Sequence, residues 1–199
     1  MLATLKHYPK AVNLLLAATT VLTLARAITL PYLVIYLSSR FGLSVAEIGL
    51  VVGSTLIIGS LLSLYGGFLL DKLANFWLIL IFSGLYASGF LGTVLAGDLW
   101  LFYLCLVAIN LAYAVIDIAV KSGFGNLLPV AERSEAFSIK YTLTNVGYAV
   151  GPFLGAGLAQ LDISLPFVLS AGLSAGFTLA YWRWGERGLS NLDPQHVPF

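Results

Sequence analysis

Charged residues are scarce in this chain: only 10% of its 199 residues are Asp, Glu, Lys or Arg, where a soluble domain has about a quarter. Ten basic and nine acidic side chains leave a formal net charge of +1. This balance provides no basic surface of the size that nucleic-acid binding requires, because that binding neutralises many phosphates. The charge content therefore argues against a soluble protein and against a nucleic-acid partner.

Cysteine and histidine are also rare, with one cysteine, Cys105, and two histidines, His7 and His196. A single cysteine cannot form an intramolecular disulfide, and these three side chains cannot build a zinc site of the usual kind. The sequence contains no P-loop pattern for binding nucleotide phosphates. We therefore expect neither a metal nor a cofactor.

One motif could suggest an enzyme. Residues 172–176, Gly-Leu-Ser-Ala-Gly, match the nucleophile-elbow pattern of serine hydrolases. Both histidines lie outside the apolar segments, so no base is available to activate Ser174 inside a membrane. Small residues in a packed helix explain the motif better, and we expect no catalytic residues.

Apolar residues are abundant, at 59% of the chain. They amount to about 117 residues, enough for about six membrane-spanning helices of roughly 20 residues each. The six apolar stretches are 12–37, 48–70, 76–96, 99–120, 137–161 and 166–182. Short polar segments separate them, apart from a longer one at 121–140. The sequence thus predicts an all-α integral membrane protein of six transmembrane helices, surrounded by a lipid bilayer.

The basic residues are distributed unevenly over the two sides of this layout. Those assigned to the inner side are Lys6, Lys10, Lys72, Lys121, Arg133, Lys140, Arg183 and Arg187. The outer loops carry only Arg40, so the positive-inside rule predicts an inner-membrane protein with both termini cytoplasmic. We expect a transmembrane domain at 1–187 and a polar cytoplasmic tail, or the start of a linker, at 188–199. A cleavable signal peptide in the first 27 residues is the competing interpretation, but the apolar run continues to residue 37.

Two predicted helices carry polar residues on one face. Arg26 lies near the middle of the first span, where an arginine is costly unless it faces protein or water. The threonines on its side of the helix are Thr19, Thr23 and Thr29. This face predicts either the lining of a cavity or a structural hydrogen-bond network between helices.

The fourth span has Asn110, Tyr113, Asp117 and Lys121 at helical spacing on one face. Asp117 is a candidate proton-binding carboxylate. Arg26 lies too far from it in depth for a simple ion pair, so Lys121, one turn on, is the nearer partner. The alternative is an ion pair at the inner surface with no transport role.

The fifth span contains Thr144, Gly147, Gly151 and Gly155 every three or four residues, with Pro152 beside Gly151. Small residues at this spacing allow another helix to approach closely. Proline removes a backbone hydrogen bond and can bend the helix. The pattern predicts close packing, with bending during transport as an extension of it.

Three motifs resemble the major facilitator superfamily. Gly67-Phe-Leu-Leu-Asp71-Lys72 is similar to the signature between helices two and three, although residues 74–76, Ala-Asn-Phe, replace the usual glycine and two basic residues. Residues 147–156 resemble the glycine and proline motif of the antiporters of the superfamily, with alanine as the last residue. Residues 129–137 resemble the usual start of that helix.

This resemblance implies one six-helix half of a 12-helix transporter, built as two inverted three-helix repeats. By similarity we expect proton-coupled efflux of a small molecule, with a second half or a second copy as partner. In relatives the aspartate equivalent to Asp71 contacts the other half. The substrate is not specified.

The side chains predicted to line the substrate or proton pathway are Arg26, Asn110, Tyr113, Asp117 and Asn145. Asp117 would exchange the proton, and Arg26 would bind an anionic group or adjust a carboxylate. The alternative function is a truncated, non-transporting membrane protein or a subunit that packs against another transporter half.

Overall fold

The computed structural model describes residues 8–185, apart from the side chain of Asp71, and this range consists of six α-helices without a β-strand. The helices are α1 (Lys10–Phe41), α2 (Val45–Lys72), α3 (Asn75–Leu95), α4 (Leu99–Leu127), α5 (Val130–Ala159) and α6 (Leu165–Trp184). Each corresponds to one predicted apolar stretch, so the prediction of six helices is confirmed. The predictions for Lys6, Arg187, both histidines and the tail at 188–199 lie outside the described residues.

The predicted polar segment at 121–140 is wrong as an inter-helix loop. Helix α4 continues to Leu127 and α5 begins at Val130, so only Leu128 and Pro129 separate them. The charged residues of this segment are Lys, Arg and Glu, which are good helix formers, so a helix can extend beyond the apolar part of its sequence. Pro129 precedes the first residue of α5, a position where its missing N–H costs nothing.

Five of the six helices are long and apolar enough to cross a membrane. The exception is α5, which has 30 residues but is the least apolar of the six. Its composition explains this, because residues 142–157 contain two threonines, one asparagine and four glycines. The chain is thus a multi-pass membrane protein, and the crossing by α5 remains a prediction.

Helix α1 lies at the centre of the packing and contacts α2, α4, α5 and α6. Helix α3 packs on α4 and α6, and α2 packs mainly on α4. Two buried hydroxyls attach neighbouring helices to the backbone of α1: Tyr86 of α3 donates to the Leu22 carbonyl at 3.0 Å, and Ser170 of α6 donates to the Ala25 carbonyl at 2.7 Å. This arrangement holds the middle of α1, where Arg26 lies, inside the bundle.

The short connections between α1 and α2 and between α3 and α4 follow from local sequence. Gly42 ends α1 with φ at 67°, a left-handed conformation that glycine adopts without strain. Ser44 and Glu47 then form a reciprocal capping box at the start of α2. Asp98 caps α4 by accepting a hydrogen bond from the Leu101 amide at 2.9 Å.

Candidate functional site

A cavity of about 280 Å³ is lined by residues from all six helices and is open on the side of Leu30, Leu56 and Tyr148. We call it the Arg26 cavity. Its polar lining residues are Arg26, Thr29, Thr55, Asn110 and Tyr148. The remaining eight of its thirteen lining residues are apolar, including Phe90 and Phe167. Mostly apolar walls with a few polar groups are typical of small-molecule sites.

Arg26 is half-buried and lies next to Tyr113 of α4. The centre of its guanidinium group is 4.7 Å from the ring centroid of Tyr113, which is within cation–π distance. The Tyr113 hydroxyl in turn lies 3.1 Å from the Thr23 hydroxyl. Among residues 8–185 the guanidinium makes no ion pair and no hydrogen bond. Arg26 is therefore an intramembrane cation whose only described partner is an aromatic ring.

The threonine face of α1 was predicted to line a cavity or to form a hydrogen-bond network between helices, and its members do both. Thr29 lines the Arg26 cavity, while its hydroxyl donates to the Arg26 carbonyl of its own helix at 3.0 Å. Thr23 instead contacts Tyr113, as a network between helices requires. Both a cavity and a structural contact are thus present on this face.

Asn110 lines the same cavity, and the approach of α2 positions it. Its amide nitrogen donates to the Thr55 hydroxyl at 3.3 Å. Gly59 of α2 packs directly against it, because a Cβ atom at position 59 would lie 2.7 Å from the Asn110 Cβ. Thr55 was not predicted; a buried threonine one turn before a helix-packing glycine is the signal that could have identified it.

Asp117 lies outside the Arg26 cavity, in a three-residue cluster that we call the Asp117 cluster. Its carboxylate is 2.6 Å from the ammonium group of Lys121 and 2.6 Å from that of Lys140. The predicted Lys121 partner is confirmed, whereas Lys140 of α5 was not predicted. The Lys140 side chain is 5% exposed and that of Lys121 is 44% exposed. The buried pair therefore joins α4 to α5.

Tyr113 lies between the Arg26 cavity and the Asp117 cluster. It contacts Arg26 on one side, and it borders a narrow cleft between α1 and α4 that Asp117 also lines. No described ion pair joins Arg26 to Asp117, in agreement with the difference in depth deduced from the sequence. The structure thus brings Arg26, Asn110 and Tyr113 together and places Asp117 beyond Tyr113.

Asn145 is not among the residues that line the Arg26 cavity, and it is exposed. Tyr148, three residues further along α5, is the residue that reaches the cavity. Helix rotation explains the difference. Gly151 faces α1, and at 100° per residue Tyr148 lies about 60° from it while Asn145 lies about 120° away.

The glycines of α5 pack against α1. A Cβ atom at Gly151 would overlap with Ala27, and one at Gly155 would overlap with the Ile28 carbonyl and the Tyr32 ring. The Tyr32 hydroxyl also donates to the Pro152 carbonyl at 3.1 Å. The predicted close approach between two helices is thus present, and α5 contacts α1 at the residues that follow Arg26.

The motif at the C-terminal end of α2 lies on an open surface. A Cβ atom at Gly67 would meet nothing within 4 Å. The ammonium group of Lys72 lies 4.4 Å from the ring centroid of Phe68. The contact predicted for the Asp71 side chain lies outside what the structure describes.

Two further features of the described residues concern Ser174 and metal binding. Ser174 is buried and donates its hydroxyl to the Ser170 carbonyl at 2.7 Å, as expected for a small residue in a packed helix. Within residues 8–185 no group of three His, Cys, Asp or Glu side chains could hold a metal ion.

Comparison with known proteins gives a consistent result. The family model described as Major Facilitator Superfamily matches residues 15–196. The chain is 37% identical over 178 residues to the uncharacterized MFS-type transporter YdeE of Escherichia coli (strain K12), which is 89% of this chain and 45% of the relative.

Two further relatives have more specific names. A Na(+), Li(+), K(+)/H(+) antiporter of Planococcus maritimus is 27% identical over 133 residues, 64% of this chain and 31% of that protein. The multidrug resistance protein MdtH of Cronobacter sakazakii (strain ATCC BAA-894) is 25% identical over 163 residues, 78% of this chain and 40% of that protein. The chain thus spans less than half the length of each of these relatives.

Proposed function

The chain belongs to the major facilitator superfamily, and from this premise we propose that it is one half of a transporter that exports a small molecule in exchange for protons. The observation that carries the proposal is the Arg26 cavity, because it places a charged and several polar side chains among six packed helices. Polar groups at membrane depth are expensive and are usually retained for a function. Two relatives whose names refer to proton exchange and to multidrug resistance support the direction and the coupling.

We assign the chain to the N-terminal half, with both termini and the motif at Gly67, Asp71 and Lys72 on the cytoplasmic side. The packing supports two inverted repeats, α1 to α3 and α4 to α6. In such a repeat α1 corresponds to α4, α2 to α5 and α3 to α6. The contact between α1 and α5 should then have a counterpart between α4 and α2, and the contact between α1 and α6 a counterpart between α4 and α3. All four of these pairs are in contact, as such a repeat requires.

A second half is needed to close the cavity. Three of its lining residues, Leu30, Leu56 and Tyr148, are 39–40% exposed in this chain. Such a surface would face lipid unless other protein covers it. In the superfamily architecture a second six-helix half fills this position, and a second copy of the chain is the alternative.

Proton exchange is assigned to Asp117. In the proposed cycle a proton from the cytoplasmic or outer side neutralises the carboxylate, which then releases the buried ammonium group of Lys140. Because this pair joins α4 to α5, its release frees the two helices to move relative to one another. The alternative, a purely structural ion pair, predicts that transport survives removal of the carboxylate.

The test uses everted membrane vesicles that contain the chain, alone or co-produced with the second half of the Escherichia coli relative. A respiratory proton gradient quenches acridine orange, and anionic, neutral and cationic solutes are then added. We expect at least one solute to restore fluorescence as protons leave in exchange. The double variant Asp117→Asn with Lys140→Gln, which removes the carboxylate without leaving a buried lysine unpaired, should abolish this recovery.

The control is Lys121→Gln, which removes the exposed lysine of the same cluster and should retain the recovery. Equal recovery in the double variant would remove Asp117 from the coupling. If no solute restores fluorescence under either condition, the non-transporting subunit becomes the better description of the chain.

A further inference from the structure

The charge of Arg26 is not compensated by any described part of the protein. Asp117, the one described carboxylate deep in a helix, is already occupied by two lysines. The other acidic side chains that the structure describes lie in loops or within two turns of a helix end: Glu47, Asp98, Glu132, Glu135 and Asp162. The cation–π contact with Tyr113 offsets only part of the cost of a cation at membrane depth.

The rest of the Arg26 cavity determines what kind of anion could enter. Arg26 is the single charged residue among its thirteen lining residues, so the cavity compensates one negative charge. The guanidinium group has five N–H donors and a planar shape that matches carboxylate and phosphate oxygens. A ligand bound there would receive charge-assisted hydrogen bonds from the guanidinium group.

The walls opposite the charge are apolar. Eight of the thirteen lining residues are apolar, and Leu30, Val52 and Leu56 present accessible side-chain surface, whereas Phe90 and Phe167 are almost fully buried behind it. Such walls favour a hydrophobic body and disfavour a small, fully hydrated ion such as phosphate or chloride. A volume of about 280 Å³ is at the lower end for drug-sized ligands, so the site fits a small molecule.

We infer that the solute bound by this site is a small amphipathic monoanion, with its acidic group at Arg26 and its apolar body against the wall formed by Leu30, Val52 and Leu56. This inference rests on the proposed function, because it specifies the substrate class of the same cavity. It does not depend on proton coupling, since it concerns binding alone.

The experiment measures equilibrium binding of two matched probes to the purified chain in nanodiscs by calorimetry. The probes are 1-naphthoate and 1-naphthamide, which share a ring system and differ in charge. A charge-assisted hydrogen bond predicts that the acid binds about 10-fold to 100-fold more tightly than the amide. In Arg26→Gln the two dissociation constants should become equal, and in Arg26→Lys part of the preference should remain.

The matched control is Arg40→Gln, which removes an arginine that lies outside the cavity and donates to the Ala96 carbonyl at 3.1 Å. This variant should keep the full preference for the acid. Comparison of the two probes on the unmodified chain requires no variant, so the result does not depend on the folding of Arg26→Gln.

Three results would overturn the inference: equal affinity for both probes, no binding of either, or a preference that survives Arg26→Gln. Equal affinity would indicate that a carboxylate of another polypeptide segment neutralises Arg26. Proton-coupled flux of neutral or cationic solutes together with equal affinity removes the anion inference and leaves the transport proposal. Selective binding of the acid without any flux would support the anion inference and remove the transport proposal.

Discussion

Replacing Gly151 with alanine will destabilise the helix bundle, although the same substitution six residues along the same helix will stabilise it. At position 151 the added methyl group overlaps with Ala27 and lies 2.8 Å from the Ala27 carbonyl carbon. The obstructing atoms are the Ala27 Cβ and backbone atoms of α1, and none of them can move aside as the end of a flexible side chain would. Overpacking of this kind costs about 1 to 3 kcal/mol, and we expect a loss of about 2 kcal/mol or more in the free energy of unfolding.

The matched control is Gly157→Ala, because a Cβ atom at Gly157 meets nothing within 4 Å. There the change replaces a poor helix former with the best one, which contributes about 0.5 to 1 kcal/mol. Equilibrium unfolding in mixed detergent micelles, followed by circular dichroism, measures both variants. If both change stability in the same direction by the same amount, the close approach of α5 to α1 is wrong.

The second large effect is expected at Asp117. Asp117→Asn leaves the ammonium group of Lys140 without its carboxylate, while the side chain of that lysine is only 5% exposed. Breaking a buried ion pair costs about 3 to 5 kcal/mol, and the lower value applies because the Asp117 side chain is 30% exposed. We therefore expect a loss of about 3 kcal/mol, of which the second substitution Lys140→Gln restores most.

Lys121→Gln provides the comparison within the same cluster. The Lys121 side chain is 44% exposed and lies one turn from Asp117 on the same helix, so its pair contributes about 0.5 kcal/mol. A double-mutant cycle over positions 117 and 140 should give a large coupling energy, and one over 117 and 121 a small one. Coupling energies of equal size would contradict the assignment of Lys140 as the buried partner.

The helices and their order could be predicted from the sequence because each apolar run is long enough to form one membrane-spanning element. The ion pair between Asp117 and Lys121 within α4 could also be predicted, since residues four apart on a helix are neighbours. The prediction that residues 121–140 separate two helices was wrong, because hydropathy locates the apolar part of a helix and not its end. Its charged residues continue α4 and begin α5.

Contacts between helices were the part that the sequence did not determine. Lys140 is 23 residues from Asp117 along the chain, and they meet because of the rotation of α5 against α4. The same rotation brings Tyr148 to the cavity in place of Asn145. The glycines at 147, 151 and 155 fix it by packing on α1, but their pattern alone does not identify which helix they approach.

We propose that the Arg26 cavity admits water and solute at membrane depth, as a transport site requires. The most direct test introduces one cysteine at a time into a Cys105→Ala background and measures reaction with a membrane-impermeant thiol reagent. Asn110→Cys places the thiol in the cavity. Ser88→Cys places it on the exposed apolar face of α3, which carries Ile81 and Leu91.

Ser88 is more exposed than Asn110 in this structure and lies nearer to the end of its helix. Accessible surface alone therefore predicts that Ser88→Cys reacts faster. We expect the opposite, because a thiol forms the reactive thiolate in water and remains protonated in lipid. Fast labelling of Asn110→Cys with no labelling of Ser88→Cys supports the cavity as an aqueous path, whereas an unreactive Asn110→Cys would contradict it.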